Sequence, residues 1–258
     1  MKKSAVILGL LLGLVVTLPV IALPEGDARD LFDRAGQAYR EGRYQQAAEM
    51  YEKILAGGKE SGPLYYNLGN SYFKQGLTGP AVLSYERARR LMPRDGDLAA
   101  NLKYARAFVR GYAPEKRNFG MRLLLGPAQV MTLNELTVLI AGMTGAAAVL
   151  YLIKLCRARQ GRMARTAMLV LVFGALFLLA AAVVSGRTAR GQGVIVAKQL
   201  EAKFEPRENA TGHYELYEGS RVRVLQREGE WLKIQRPDGK SGWIPAAGLE
   251  EIQNKKGR

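Results

Sequence analysis

The chain has 258 residues, and its 38 lysines and arginines outnumber its 23 aspartates and glutamates, which gives a formal net charge of +15. Apart from residues 154–165, no single run or face concentrates this charge, so the sequence lacks the footprint of a nucleic-acid-binding protein. Attraction to anionic lipid headgroups explains the bias more simply. The only cysteine, Cys156, excludes a disulfide within the chain.

The sequence contains no constellation that predicts catalysis. One cysteine and one histidine cannot build a zinc site, and neither a glycine-rich phosphate loop nor a nucleophile motif is present. The lone histidine, His213, follows Gly212 in a predicted loop and is expected to be solvated. We therefore predict a protein that is not an enzyme and that has no cofactor, no metal ion and no catalytic residues.

The N-terminus has the features of an export signal. Lys2 and Lys3 precede an apolar run from Ala5 to Ala22, the order of a secretory signal, and residues 1–22 are predicted to be a signal peptide. The run is slightly long, so an uncleaved anchor is the alternative. A cleaved signal peptide and an uncleaved anchor both place the segment that begins at residue 23 outside the cytoplasm.

An internal repeat follows the signal. Identical residues recur at a spacing of 34, namely Gly42 and Gly76, Ala47 and Ala81, Tyr51 and Tyr85, and Glu52 and Glu86. This period with these residues is typical of tetratricopeptide repeats, in which each repeat forms two antiparallel helices. Residues 23–110 are therefore predicted to form two repeats, with a capping helix from Asp97 to about Val109.

The concave face of these repeats is the best candidate for binding a partner. Repeat periodicity places six aromatic and amide residues there: Tyr66, Asn67, Asn70, Phe73, Asn101 and Tyr104. Asparagine side chains can hold an extended peptide backbone through one donor and one acceptor each. The alternative is that the asparagines hydrogen-bond neighbouring helices.

Residues 111–132 are predicted to be a linker followed by an interfacial segment. Glycine, proline and charged residues dominate its first part, and Phe119 to Met131 is apolar but interrupted by Arg122, Gly126 and Pro127. Such a segment is too broken to span a bilayer and is expected to lie along the membrane surface.

Two apolar stretches predict a transmembrane hairpin. Leu136 to Ile153 and Thr166 to Ser185 contain no charged residue, and each is about 18 to 20 residues long, enough to cross a hydrocarbon core of roughly 30 Å. The predicted spans are 133–156 and 166–186. The loop 157–165 between them is basic and is expected in the cytoplasm. Two buried helices of a soluble protein are the alternative.

From residue 193 onward the pattern changes to short alternating strands separated by turns. Three runs, Leu216–Val222, Gly229–Ile234 and Asp238–Pro245, resemble a bacterial SH3-type barrel of about five strands, predicted over 193–253. Tyr217 and Trp231 are the candidate residues of a recognition surface on this barrel. Its other tryptophan, Trp243, is expected in the core.

The order of these parts resembles the BatE-type proteins of bacterial aerotolerance operons. The predicted fold is therefore a multidomain membrane protein with an all-α tetratricopeptide repeat domain, a two-helix transmembrane hairpin and a C-terminal all-β SH3-type barrel. The resemblance implies protein partners, namely membrane-anchored von Willebrand A-type Bat proteins and, through them, a MoxR-type ATPase.

The expected function is that of a scaffold at the bacterial inner membrane, with its repeat groove and barrel in the periplasm. The partners are protein segments and the lipid bilayer, and nucleic acid is not expected. The alternative is a cell-wall module whose barrel binds peptidoglycan while the repeats recruit an enzyme.

Overall fold

The computed structural model describes residues 25–112, 119–156, 162–189 and 191–253. Within these ranges it contains eight α-helices, followed by an antiparallel sheet of seven strands. The predicted signal peptide, residues 1–22, lies outside the described residues. So do residues 113–118 of the predicted linker and residues 157–161 of the predicted cytoplasmic loop.

Five helices form the N-terminal part: α1 (Glu25–Arg40), α2 (Tyr44–Ala56), α3 (Gly62–Lys74), α4 (Thr78–Leu91) and α5 (Gly96–Ala107). Their bounds recur at the spacing seen in the sequence, because α2 and α4 begin 34 residues apart, as do α3 and α5. Gly42 and Gly76 turn the chain before α2 and α4 with φ of +79° and +76°, a conformation that favours glycine.

The core of this part is built from the recurring residues. Ala47 and Ala81 are completely buried, so the helix backbones approach each other closely at both positions. Tyr51 and Tyr85 are also buried and fill the space between successive helices. The ring of Tyr85 lies so close to Gly69 that a side chain on Gly69 would collide with it.

Three further helices follow: α6 (Phe119–Val130), α7 (Leu133–Cys156) and α8 (Arg162–Ala189). Two of them contain windows long and apolar enough to cross a membrane, Asn134–Tyr151 and Thr166–Val184, with mean hydropathies of 1.3 and 2.9. Only 11% of each window is buried against protein, unlike the core helix of a soluble protein.

The first of these helices has a defined start. The Glu135 amide donates to Thr132 Oγ1, and the Thr132 amide donates to Glu135 Oε2, which forms a capping box. The segment predicted to lie along the membrane is the helix α6, which packs against α8 and buries Leu125.

The C-terminal sheet comprises β1 (Gln192–Ile195), β2 (Gln199–Lys203), β3 (Gly212–Tyr217), β4 (Arg221–Glu228), β5 (Trp231–Gln235), β6 (Ser241–Pro245) and β7 (Leu249–Glu251). The strands are ordered β3-β2-β6-β5-β4-β1-β7. There are seven within residues 191–253, more than the five expected, because β2 is largely polar and β7 has only three residues. His213 lies in β3, so its predicted position in a loop was wrong.

The C-terminal sheet, residues 192–251, is called the barrel below, and it is in contact with the helical part. Val194 of β1 and Ile252, just after β7, belong to the same buried cluster as Val82, Leu102 and Val109 of the helices. Because the two parts touch, they lie on the same side of any bilayer that α7 and α8 cross.

Candidate functional site

An exposed aromatic cluster lies at one end of the helical part. Phe73 of α3 and Tyr104 of α5 meet edge to face at 5.6 Å between ring centroids, and Phe108 contacts both rings, at 5.5 and 5.1 Å. Tyr104 and Phe108 are each 59% exposed. We call these three residues the aromatic ridge. Sequence reasoning missed Phe108, although its position four residues after Tyr104 puts both on one face of a helix.

The predicted amide residues are engaged with neighbouring helices. Asn101 Nδ2 donates to the Tyr66 hydroxyl and to Asn70 Oδ1, at 3.0 Å each. Asn70 Oδ1 also accepts from the Tyr85 hydroxyl at 2.7 Å. Asn67 forms a side-chain hydrogen bond with Tyr51.

These contacts tie α3 to α2, α4 and α5 through partly buried groups. The arrangement favours the alternative in which the asparagines brace the helices. Of the predicted groove residues, Phe73 and Tyr104 are the ones that remain available to a partner, together with Phe108, which was not predicted.

A second surface lies on the outward face of β2, β6 and β5. Ile244 and Leu232 point into the barrel core, so by alternation Trp243 and Trp231 point outward. Lys203 Nζ lies 5.7 Å from the centre of the Trp231 ring, and Lys233 Nζ lies 5.8 Å from that of Trp243.

We call this set, Lys203, Trp231, Lys233 and Trp243, the tryptophan face. Trp243 was predicted in the core, and it is indeed buried, with 8% of its surface exposed. It does not belong to the cluster of side chains that fills the barrel, however. The strand alternation could have identified the two lysines, because each occupies an outward position beside a tryptophan.

The other barrel candidate, Tyr217, lies at the boundary with the helices. The Arg110 guanidinium sits 4.7 Å from the centre of its ring, and its hydroxyl donates to Glu215. That hydrogen bond is the main cause of the raised pKa of Tyr217. Tyr217 therefore contacts the segment that follows α5 and is separate from the tryptophan face.

Sequence reasoning also missed a buried carboxylate, Glu86 of α4, which is 1% exposed. Arg89 contacts it at 2.7 Å, Arg106 forms an ion pair with it, and Arg221 of the barrel approaches to 3.9 Å. Burial alone would raise the pKa of Glu86. The three arginines outweigh burial and hold that pKa at about 2.

Nothing in the described part of the chain assembles a metal centre, since it contains no group of three or more histidine, cysteine, aspartate or glutamate side chains suited to one. His213 is exposed, and its ring stacks on Phe204 with 4.3 Å between centroids. A cleft of about 200 Å³ opens where the helical part meets the C-terminal end of the barrel, and none of the predicted site residues lines it.

Comparison with known families supports the assignment of the barrel. Residues 205–250 match the family model of the bacterial SH3 domain, which covers β3 to β6 and the first part of β7. The C-terminal sheet is therefore an SH3-type domain, consistent with a module that binds protein or cell wall. A search of curated proteins found no match to the chain.

Proposed function

We propose that this chain is a membrane-anchored, non-enzymatic scaffold of the bacterial cell envelope. It presents two binding surfaces, the aromatic ridge and the tryptophan face, on one body that contacts the end of a membrane hairpin. The observation that carries this proposal is the docking of an SH3-type domain on the helices while Tyr104 and Phe108 of the aromatic ridge stay exposed.

The helical part acts in this proposal as a tetratricopeptide repeat domain. Its support is the recurrence of helix bounds, turn glycines and buried alanines and tyrosines at the same spacing of 34. Repeats of this kind stack into extended surfaces that suit a segment of another protein.

The ridge favours an apolar or aromatic segment of a protein partner. Three rings in mutual contact, two of them well exposed, provide the anchor type that dominates protein interfaces. From the resemblance to BatE-type proteins, the partner is a von Willebrand A-type membrane protein of the same operon, which in turn links the scaffold to a MoxR-type ATPase and an aerotolerance role.

The location follows from the charge between the two candidate spans. The basic loop stays in the cytoplasm, so the repeats and the barrel face the periplasm. Their mutual contact supports this arrangement, because a hairpin with two spans returns the chain to the side from which it started.

A second function, cell-wall binding, is favoured by the tryptophan face. Two ammonium groups beside two indole rings suit a peptide that carries a free carboxylate, such as a peptidoglycan stem peptide. In this version the barrel holds the wall and the ridge recruits an enzyme.

The experiment is a co-purification of the full chain with the von Willebrand A-type protein, both expressed in one cell. Phe108→Ala should weaken recovery of the partner at least about tenfold, as for an aromatic anchor at an interface. Phe204→Ala is the matched control, because Phe204 is 57% exposed and lies on the barrel, away from the ridge.

A parallel pelleting assay with purified peptidoglycan separates the two functions. Binding to the wall fragments that is lost in Trp231→Ala and kept in Phe108→Ala would favour the cell-wall module. Equal recovery of the partner with Phe108→Ala and with the unaltered chain would refute the role of the ridge.

A further inference from the structure

The barrel completes the apolar core of the second repeat. Val194 is fully buried and Ile252 is 4% exposed, and both are packed among helical residues. Neither belongs to the cluster that fills the barrel itself. These two side chains therefore stabilise the repeat core more directly than they stabilise the domain to which they belong.

The two domains also approach each other closely at a glycine on each side. A side chain at Gly79 would lie 2.9 Å from the Ile195 carbonyl oxygen and 3.2 Å from Glu218 Cβ. A side chain at Gly219 would lie 2.6 Å from the Val109 side chain. The surfaces are thus complementary down to the backbone, as in the interior of a single domain.

Polar contacts close the rest of the junction. Arg87 Nη2 donates to the Glu251 carbonyl at 3.0 Å and pairs with the Glu250 carboxylate at 3.2 Å, and Arg90 Nη1 donates to the Ile252 carbonyl at 3.4 Å. The barrel also supplies Arg221, one of the three arginines around the buried Glu86. Helix α4 therefore depends on the barrel for both apolar and charged partners.

We propose that the SH3-type barrel is the second cap of the repeat domain, so that the two fold as one cooperative unit. Two repeats and a single capping helix form a small core with little stability of its own, and stacked repeats need their ends covered. The chain supplies this cover from residues more than 80 positions after α5. In the sequence, these residues follow the membrane hairpin.

This arrangement makes folding of the repeats depend on insertion of the hairpin. The barrel reaches α4 only when both spans have crossed and residues 191–253 lie on the same side as the repeats. A chain whose second span fails to insert leaves Val82 and Val109 without their apolar cover and Glu86 without Arg221.

The test is hydrogen exchange of the full chain in lipid nanodiscs, read by mass spectrometry on peptides from α4. Ile252→Asp puts a charge into the repeat core from the barrel side, and amide protection in α4 should fall at least about tenfold. The matched control is Leu225→Asp, the same change at a barrel residue that is 49% exposed, and it should leave α4 protected.

Tryptophan emission shows whether the barrel remains folded, because both tryptophans of the chain, Trp231 and Trp243, lie in it. A second variant, Arg87→Ala, removes contacts from the helical side without altering the barrel, and it should lower α4 protection in the same direction. Unchanged exchange in α4 with Ile252→Asp would overturn the proposal, and so would equal loss with Leu225→Asp.

Discussion

Glu52 and Glu86 occupy the same position in the two repeats, 34 residues apart, yet their surroundings differ completely. Glu52 of α2 is exposed and accepts one hydrogen bond, from the Tyr72 hydroxyl. Glu86 of α4 is buried and is surrounded by Arg89, Arg106 and Arg221. The sequence motif is identical at the two sites, a tyrosine followed by a glutamate.

The difference lies in what covers each helix. Glu52 stays exposed beside Tyr72 of α3, whereas α5 and the barrel both reach Glu86 and contribute an arginine each. A carboxylate enclosed in this way loses its hydration, so its arginine partners become essential to it. The same residue type thus makes a minor surface contact in one repeat and forms the centre of an interdomain junction in the other.

The largest effect should come from removing the buried carboxylate. Glu86→Ala removes the buried carboxylate that Arg89, Arg106 and Arg221 share and should lower the free energy of unfolding by about 3–5 kcal/mol. Glu52→Ala removes one hydrogen bond at the surface and should cost only about 0.5–1.5 kcal/mol. Chemical denaturation of the detergent-solubilised chain measures both, and equal losses would remove the distinction between the two repeats.

The second-largest effect should come from a change of pH, which acts through the ionisation of Glu86. Its pKa of about 2 lies below the ordinary value of 4.5. The stabilisation is therefore complete above about pH 4.5 and is lost as the pH falls towards 2. The difference between these two pKa values corresponds to about 3 kcal/mol in the free energy of unfolding.

Glu86→Gln provides the control for this titration, because the amide does not ionise. Melting temperatures measured from pH 6 to pH 3 should fall less steeply for this variant than for the unaltered chain. Parallel curves would assign the acid sensitivity to other carboxylates.

The smallest effect should come from the amide that braces α3 and α5. Asn101→Ala loses hydrogen bonds to Tyr66 and Asn70 and should lower the free energy of unfolding by about 1–3 kcal/mol. Lys103→Ala, at an exposed position on the same helix, is the control and should change little. If the Asn101→Ala variant is stable but loses partner binding, Asn101 contacts the partner in the groove and does not brace the helices.

The helices of the N-terminal part and their buried alanines and tyrosines were predictable because the signals are local and repeated. The spacing of Ala47 and Ala81, and of Tyr51 and Tyr85, is enough to determine both the helix phase and the buried face. The helix α7 has the predicted bounds of the first span, 133–156, and begins at the Thr132–Glu135 capping box. The SH3 prediction, which the family match confirms, rested on turn and tryptophan motifs of the same local kind.

The junction was not predictable, because it depends on contacts between distant segments. The burial of Glu86 requires Arg221, which is 135 residues further along the chain. The sequence around Glu86 contains no signal that predicts this partner. The role of Asn101 required the position of Tyr66 on another helix. Tyr217 likewise has the sequence context of a free aromatic, and only the fold places Arg110 beside it.

The shortness of the connection between α8 and β1 limits how far this protein can reach. Only two residues separate Ala189 from Gln192, and two extended residues span about 7 Å. A folded domain of some 60 residues is roughly 25–30 Å across. If α8 spans the bilayer, the tryptophan face can therefore meet only targets within a few nanometres of the membrane surface, so a distant ligand must be brought to it or carry its own extension.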